Sequence, residues 1–146
     1  MKRPTARRWT KQSLRRGTSW SGTTRVNGEG DPAPLVPGSV AWVALEPVRG
    51  REQGGHRPVV VVASAGYLEA VTTLAVVVPV TSVDRGWPNH VRLSGEHGLQ
   101  DGSWAMSEQI RTVSRSRVSR VDGVVSAGCL REIRSWLSDF LDLPVG

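Results

Sequence analysis

The groups best suited to chemistry are crowded into ten residues, Arg49-Gly50-Arg51-Glu52-Gln53-Gly54-Gly55-His56-Arg57-Pro58. The stretch lies between two apolar runs that read as strands, and it is longer and more polar than a plain hairpin requires. Paired glycines let the backbone take φ > 0 and approach a ligand closely. Loops held on a rigid scaffold often carry function. Arg57 brings a planar, permanently charged fork able to hold two oxygens of one phosphate. On residue type alone it is open to a second reading, a solvated arginine closing a loop before Pro58. Glu52 and Gln53 are likewise open to two readings, ligand contact or pairing with Arg49 and Arg51.

The remaining reactive side chains narrow the chemistry. His56, His90 and His97 have no tight ligand spacing and no carboxylate cluster beside them, so no metal site is expected. No cofactor is expected either. Cys129 is the single cysteine, which excludes an internal disulfide framework and a cysteine-rich zinc site and makes a reducing cytoplasm the natural setting. It falls in an apolar helical pattern and reads as a packing residue. His56 is a residue type suited to acid–base chemistry but is read as incidental. Trp42 and Trp104 sit in strand patterns and read as core. Trp87, beside Pro88 in a loop, is the better platform for stacking a base.

At 146 residues one domain is the default, with enough chain for a core without staples. No apolar run approaches the roughly 20 residues that span a bilayer. The net charge of +6 is confined to residues 1–36, which hold eight Lys/Arg against Glu29 and Asp31, so residues 37–146 are balanced. The basicity belongs to the N-terminal stretch, and any nucleic-acid binding by the rest must come from a local groove or site. Residues 1–36 show no period that would bury a face and read as a disordered basic extension. Three other readings stand beside that one: a phosphate-binding arm, an Arg-rich transit peptide, or a true start near Val36-Pro37-Gly38.

From Gly38 onward the elements follow in order. Gly38 to Leu45 is apolar on both faces and reads as a central strand. A loop over 46–57 leads to a second buried strand, Pro58 to Ser64, with proline at its first position. A short helical turn over Ala65 to Val71 precedes a third strand, Leu74 to Ser82, which Pro79 should end as an edge, a bulge or a bend. His90 to Leu93 is a short strand. Ser103 to Ile110 alternates, with Trp104, Met106, Glu108 and Ile110 on one face, and Arg111 to Val118 is a further extended stretch. Its arginines are read as one solvated face, with Glu108 and Asp122 available to pair with them. Ser126 is the N-cap of an amphipathic helix reaching Asp142, with Leu130, Ile133, Leu137, Phe140 and Leu141 at helical spacing. Five or six short strands and one C-terminal helix suggest a mainly β fold, a small barrel with a helix packed on it.

Four blocks carry a resemblance. G-S-V-A-W-V-A-L at 38–45, G-R-E-Q-G-G-H-R-P at 50–58, V-P-V-T-S at 78–82 and S-E-Q-I-R-T-V-S-R-S-R at 107–117 resemble, in order and spacing, the MazF/PemK family of toxin endoribonucleases. The likeness runs from about Val36 to the C-terminus. It implies an SH3-like β-barrel over 37–146 and a homodimer. It also implies a sequence-selective cut in single-stranded RNA and a cognate antitoxin protein that plugs the site. By the same likeness Arg57 and Thr81 are the catalytic residues, and Glu52, Gln53, Ser82 and Gln109 line the RNA or antitoxin groove. Arg51 departs from the family's usual small polar residue, and residues 1–36 have no family counterpart.

Metal-independent RNA cleavage needs a ribose 2′-OH in line with the phosphorus, a group to take its proton, and donors for the charge building on the phosphate oxygens. Arg57 suits the last role, and Thr81 can donate to the same phosphate. The resemblance implies 2′,3′-cyclic phosphate and 5′-OH ends. The base is open: Glu52 takes the proton or orients Arg57, and arginine itself is a poor base at its ordinary pKa. Trp87 is open between base stacking and an antitoxin interface. A second function class remains, a non-catalytic binding toxin of the same fold that inhibits gyrase, or a silent member that sequesters RNA or antitoxin. The chain ends Leu143-Pro144-Val145-Gly146, without the terminal aromatic anchor that gyrase inhibition uses.

Overall fold

A computed structural model describes residues 34–45 and 55–144. The basic stretch through residue 33, and Glu52 and Gln53, lie outside the described residues. Seven strands and two helices follow in order: β1 (Ser39–Ala44), β2 (His56–Val61), α1 (Ala65–Ala70), β3 (Leu74–Thr81), β4 (His90–Arg92), β5 (Trp104–Met106), β6 (Arg111–Ser114), β7 (Val118–Val124) and α2 (Ala127–Leu141). Single 3-10 turns stand at Ser107–Gln109 and Arg115–Arg117. The strands pair antiparallel in the order β4-β5-β3-β2-β1-β7, with β6 on β3. The mainly β fold with a C-terminal helix is therefore as the sequence predicts, and β1 is central.

Valine-rich strands build this sheet because branched side chains suit a pleated surface buried on both sides. Alternation divides them into two layers. Val40, Val60, Val78, Val80, Val91 and Ala105 face α2, whose Cys129, Leu130, Ile133 and Leu137 complete that layer. Ala41, Val43, Val59, Val61, Ala75 and Val77 face the other way, with Leu68 of α1 and Val113 of β6. Leu35 also packs on this second layer. Full burial of an aliphatic side chain such as Ile133 contributes about 1.5–3 kcal/mol. The Ser126 hydroxyl accepts from the Cys129 N–H at 3.2 Å and starts the helix as its N-cap. Among the described residues no helix is long and apolar enough to cross a membrane.

As a strand path the sheet is open at β4 and β7. The segment just after β4 spans the gap: Ser126 N–H donates to Ser94 O at 2.8 Å and Val124 N–H to Glu96 O at 3.0 Å. Gly95 lies between them at φ +97°, where a Cβ would come within 2.5 Å of the Ser126 nitrogen. This bridge gives the sheet its barrel-like form.

Several local expectations are corrected. β2 begins at His56, so Arg57 stands on a strand and not in the loop. The alternation of Ser103 to Ile110 stops at Met106, where the 3-10 turn begins. The stretch from Arg111 is broken by the second 3-10 turn, beyond which β7 pairs with β1. Pro79 does not mark an edge: β3 is central there. On the side away from β2, β6 pairs with Leu74–Val77 and β5 with Val80–Thr81. Pro79 falls at the changeover between those partners. Trp42 and Trp104 are half-buried and not core residues.

Arg115 overturns the solvated-face reading of its strand. Its guanidinium donates to Leu68 O at 2.5 Å, Val71 O at 3.0 Å and Leu74 O at 3.1 Å, which fastens the end of α1 to β3. Burial lowers its pKa, with the nearby Tyr67 hydroxyl opposing. Asp122 does pair with an arginine, Arg120 at 2.9 Å, whereas Glu108 pairs with His90.

Candidate active site

Register decides which side chains meet. β2 and β3 pair Val61 with Val77, Val60 with Val78 and Val59 with Pro79. The pairing ends at Val59 and Pro79; two residues further along each strand, alternation puts Arg57 and Thr81 on the face of the second layer, at the same end of the two strands. Arg57 is exposed and Thr81 is 4 % exposed. The two groups come from segments 24 residues apart in sequence and meet at one end of the sheet. Antiparallel pairing brings the start of β2 to the end of β3.

Thr81 is held in a defined state. Its Oγ1 accepts the Val83 N–H at 3.1 Å, the turn that ends β3. That bond uses a lone pair and leaves the hydroxyl proton to donate. Ser82 follows as an exposed residue. Gln109, in the first 3-10 turn, rests its amide on the Met106 sulfur, Nε2 to Sδ 3.7 Å. The β3–β5 register sets Met106 level with Pro79, so Gln109 borders the same face as Thr81. The structure thus brings Arg57, Thr81 and Gln109 to one face, with Ser82 at its margin. Glu52 and Gln53 lie outside the described residues.

A rigid rim borders this face. His90 is buried, and its Nε2 donates to Glu108 Oε2 at 3.0 Å. Asn89 Nδ2 donates to the other carboxylate oxygen at 2.7 Å. That leaves His90 Nδ1 buried without a hydrogen-bond partner. The His90 N–H donates to Trp87 O at 3.0 Å, and the Ser107 hydroxyl to Asn89 O at 2.6 Å. Trp87 rests its ring on that of His90, centroids 4.8 Å apart, yet stays 50 % exposed. The result is an aromatic surface presented to solvent on a fixed turn. Sequence spacing had offered His90 only as a rejected metal ligand. Among the described residues no three metal-binding side chains converge.

His56 points the other way along the pleat and has partners of its own. Its Nε2 lies 2.8 Å from Ser119 Oγ, and Ser119 Oγ donates to Trp42 O at 3.2 Å, so the His56 nitrogen is the donor of the pair. Ser119 is the extra residue at one of the two shifts in the β1–β7 register, and the bulge there directs its hydroxyl at His56. The His56 and Trp42 rings lie 5.7 Å apart. Trp42 Nε1 donates to Asp122 Oδ2 at 2.7 Å while Arg120 covers the indole at 4.9 Å. The histidine read as incidental is therefore an anchor for the start of β2.

Together these features bring a guanidinium and a hydroxyl donor to the same end of one face of the sheet, at the rim of an apolar layer. This is an arrangement fit to hold a phosphate. Residues 37–141 match the model of the PemK-like, MazF-like toxins of type II toxin–antitoxin systems. The chain is 34 % identical over 99 residues to the endoribonuclease toxin MazF of Escherichia coli K12, covering 67 % of this chain and 86 % of that one. It is 38 % identical over 112 residues to endoribonuclease MazF9 of Mycobacterium tuberculosis, covering 73 % and 95 %. Among solved structures, MazF from Deinococcus radiodurans superposes with a TM-score of 0.66 at 31 % identity, covering 75 % of this chain and 97 % of that one. A MazE–MazF complex from the same organism gives 0.62 at 31 % identity, covering 76 % and 98 %. On the strength of the match across the folded residues, this chain belongs to the PemK-like, MazF-like toxin family.

Proposed function

We propose that this protein is the toxin of a type II toxin–antitoxin system and an endoribonuclease that cuts single-stranded RNA without a metal ion. The observation that supports the reading is the antiparallel β2–β3 pairing, which brings the Arg57 end of β2 and the Thr81 end of β3 to one end of the sheet, on one face. The Arg57 fork takes two oxygens of the scissile phosphate, and the Thr81 hydroxyl donates to the same group. The ribose 2′-OH attacks in line, the bond to the 5′ oxygen breaks, that oxygen takes a proton from water, and the products carry a 2′,3′-cyclic phosphate and a 5′-OH. Glu52 takes the 2′-OH proton or orients Arg57. Gln53, Ser82 and Gln109 contact RNA, and Trp87 stacks a flanking base, which contributes about 1–3 kcal/mol per base in such sites.

The solved MazE–MazF complex supports a cognate antitoxin as partner. A homodimer and a cytoplasmic setting complete the reading. Incubation of the purified chain in EDTA with a long mixed-sequence RNA, beside Arg57→Ala, tests it. Discrete cuts ending in 5′-OH, lost in the variant, are expected. RNA left intact by both proteins would overturn the nuclease reading in favour of a binding toxin.

A further inference from the structure

The row that begins with Arg57 and Thr81 does not end at β3. Thr81 pairs with Trp104 of β5, and Trp104 pairs with Arg92 of β4. Since β2, β3, β5 and β4 are consecutive neighbours and Arg57 lies on the Thr81 face at the adjoining end of β2, a line runs across four strands from Arg57 through the paired Thr81, Trp104 and Arg92. At about 4.8 Å per strand the line spans roughly 14 Å. The next row along the same face, Val59, Pro79, Met106 and His90, is buried, so the line borders a packed row.

Arg92 is poised but lightly held. Its guanidinium lies 5.8 Å from the Trp104 ring centroid, and Nη2 contacts Asp101 Oδ1 at 2.9 Å. Both partners of that ion pair are largely exposed, 59 % and 90 %, so the pair contributes little and a phosphate can displace it.

We propose that Arg92 and Trp104 form a second RNA subsite on the same chain as the Arg57–Thr81 pair, resting on the reading of that pair as the phosphate site. The Arg92 guanidinium takes a backbone phosphate beyond the cut, and Trp104 packs the neighbouring base. Charge favours RNA as the occupant: the line carries an arginine at each end and a ring between, the combination that tracks single strands. Asp101 competes from within the chain for the same guanidinium.

The test is steady-state cleavage of a single-stranded RNA carrying the mapped cut site and flanking nucleotides, across a salt series, with the full chain. Arg92→Gln is expected to raise KM severalfold at unchanged kcat. It should also reduce the salt slope of log(kcat/KM) by about 0.7, the share of one phosphate contact on a single strand. Asp101→Asn is expected to lower KM. Trp104→Leu, checked for folding by its thermal melt, should raise KM only on substrates that extend past the cut. Wild-type cutting lost in Arg57→Ala but with KM and salt slope untouched in Arg92→Gln would overturn the subsite alone. A wild type that neither binds nor cuts the RNA would overturn both readings.

Discussion

Thr81→Val separates chemistry from folding at one atom. Valine keeps the shape and the β-branched stiffness of threonine, and it fills the same buried position. What disappears is the hydroxyl, and with it the acceptor for the Val83 N–H. Val83 is exposed, so water can meet that N–H, and the loss belongs at the low end for a hydrogen bond, about 0.5–1 kcal/mol. A domain of ordinary stability, about 5–15 kcal/mol, remains folded after such a change. The reaction is far more sensitive. Removing one preorganised donor to developing charge costs about 10²–10³ in kcat. Single-turnover cleavage of a quenched fluorescent RNA in EDTA reads the rate, and urea unfolding reads the stability. The expected order is wild type, then Thr81→Ser at a moderate loss, then Thr81→Val far below both. A valine variant cutting within a fewfold of wild type would refute the donor role. A valine variant that unfolds would refute the local argument about Val83.

Two outcomes test the scaffold. Arg115→Met leaves three carbonyls at the end of α1 without their charged donor, and a loss of about 2–4 kcal/mol is expected in urea unfolding. Lysine at the same position should recover less than half, because a point charge cannot reach three carbonyls as a fork does. Cys129 is buried, and burial raises its thiol pKa, so alkylation at mildly alkaline pH should be slow in the native protein and fast in denaturant, read by mass shift. As pH climbs past about 8.5 the unfolded thiol loses its proton first, so the Cys129 contribution to stability should fall with rising pH in that range.

The apolar pattern made most of the fold legible. Runs such as Val59–Val62 and Val76–Val78 are apolar at successive positions, which marks strands buried on both faces. Ser126 and the spacing of Leu130, Ile133 and Leu137 marked α2. What remained hidden depends on pairing between distant segments. Nothing local in Val118–Val124 distinguishes a strand that pairs with β1 from a tail of the preceding stretch, and the bulge at Ser119 exists only through that pairing. Trp104 was misplaced for a related reason: its own strand is apolar, but its face emerges beside Arg92, a neighbour 12 residues away in sequence. Arg115 looked solvated because its partners are backbone carbonyls, which no side-chain pattern announces. For the site, residue types singled out Arg57, while the importance of Thr81 came from the family resemblance. Its contact with the same edge is a property of register.

Register also explains why the candidate chemistry sits where it does. A strand buried on both faces has room for a working polar group only near its ends. Along β2 one face runs Val61, Val59, Arg57, and along β3 the same face runs Ala75, Val77, Pro79, Thr81, each passing from the buried interior toward the rim. A slip of one residue in either strand would turn its polar terminus to the α2 face and send a valine of each layer to the wrong side. The free energy that forbids the slip is that of several buried valines, far larger than any contact between Arg57 and Thr81. The alignment of the two groups is therefore fixed by the apolar alternation beneath them, not by attraction between them. It follows that a substitution at Val59 or Val77 would act on cleavage without touching the RNA, through the register that brings Arg57 and Thr81 to one end of the sheet.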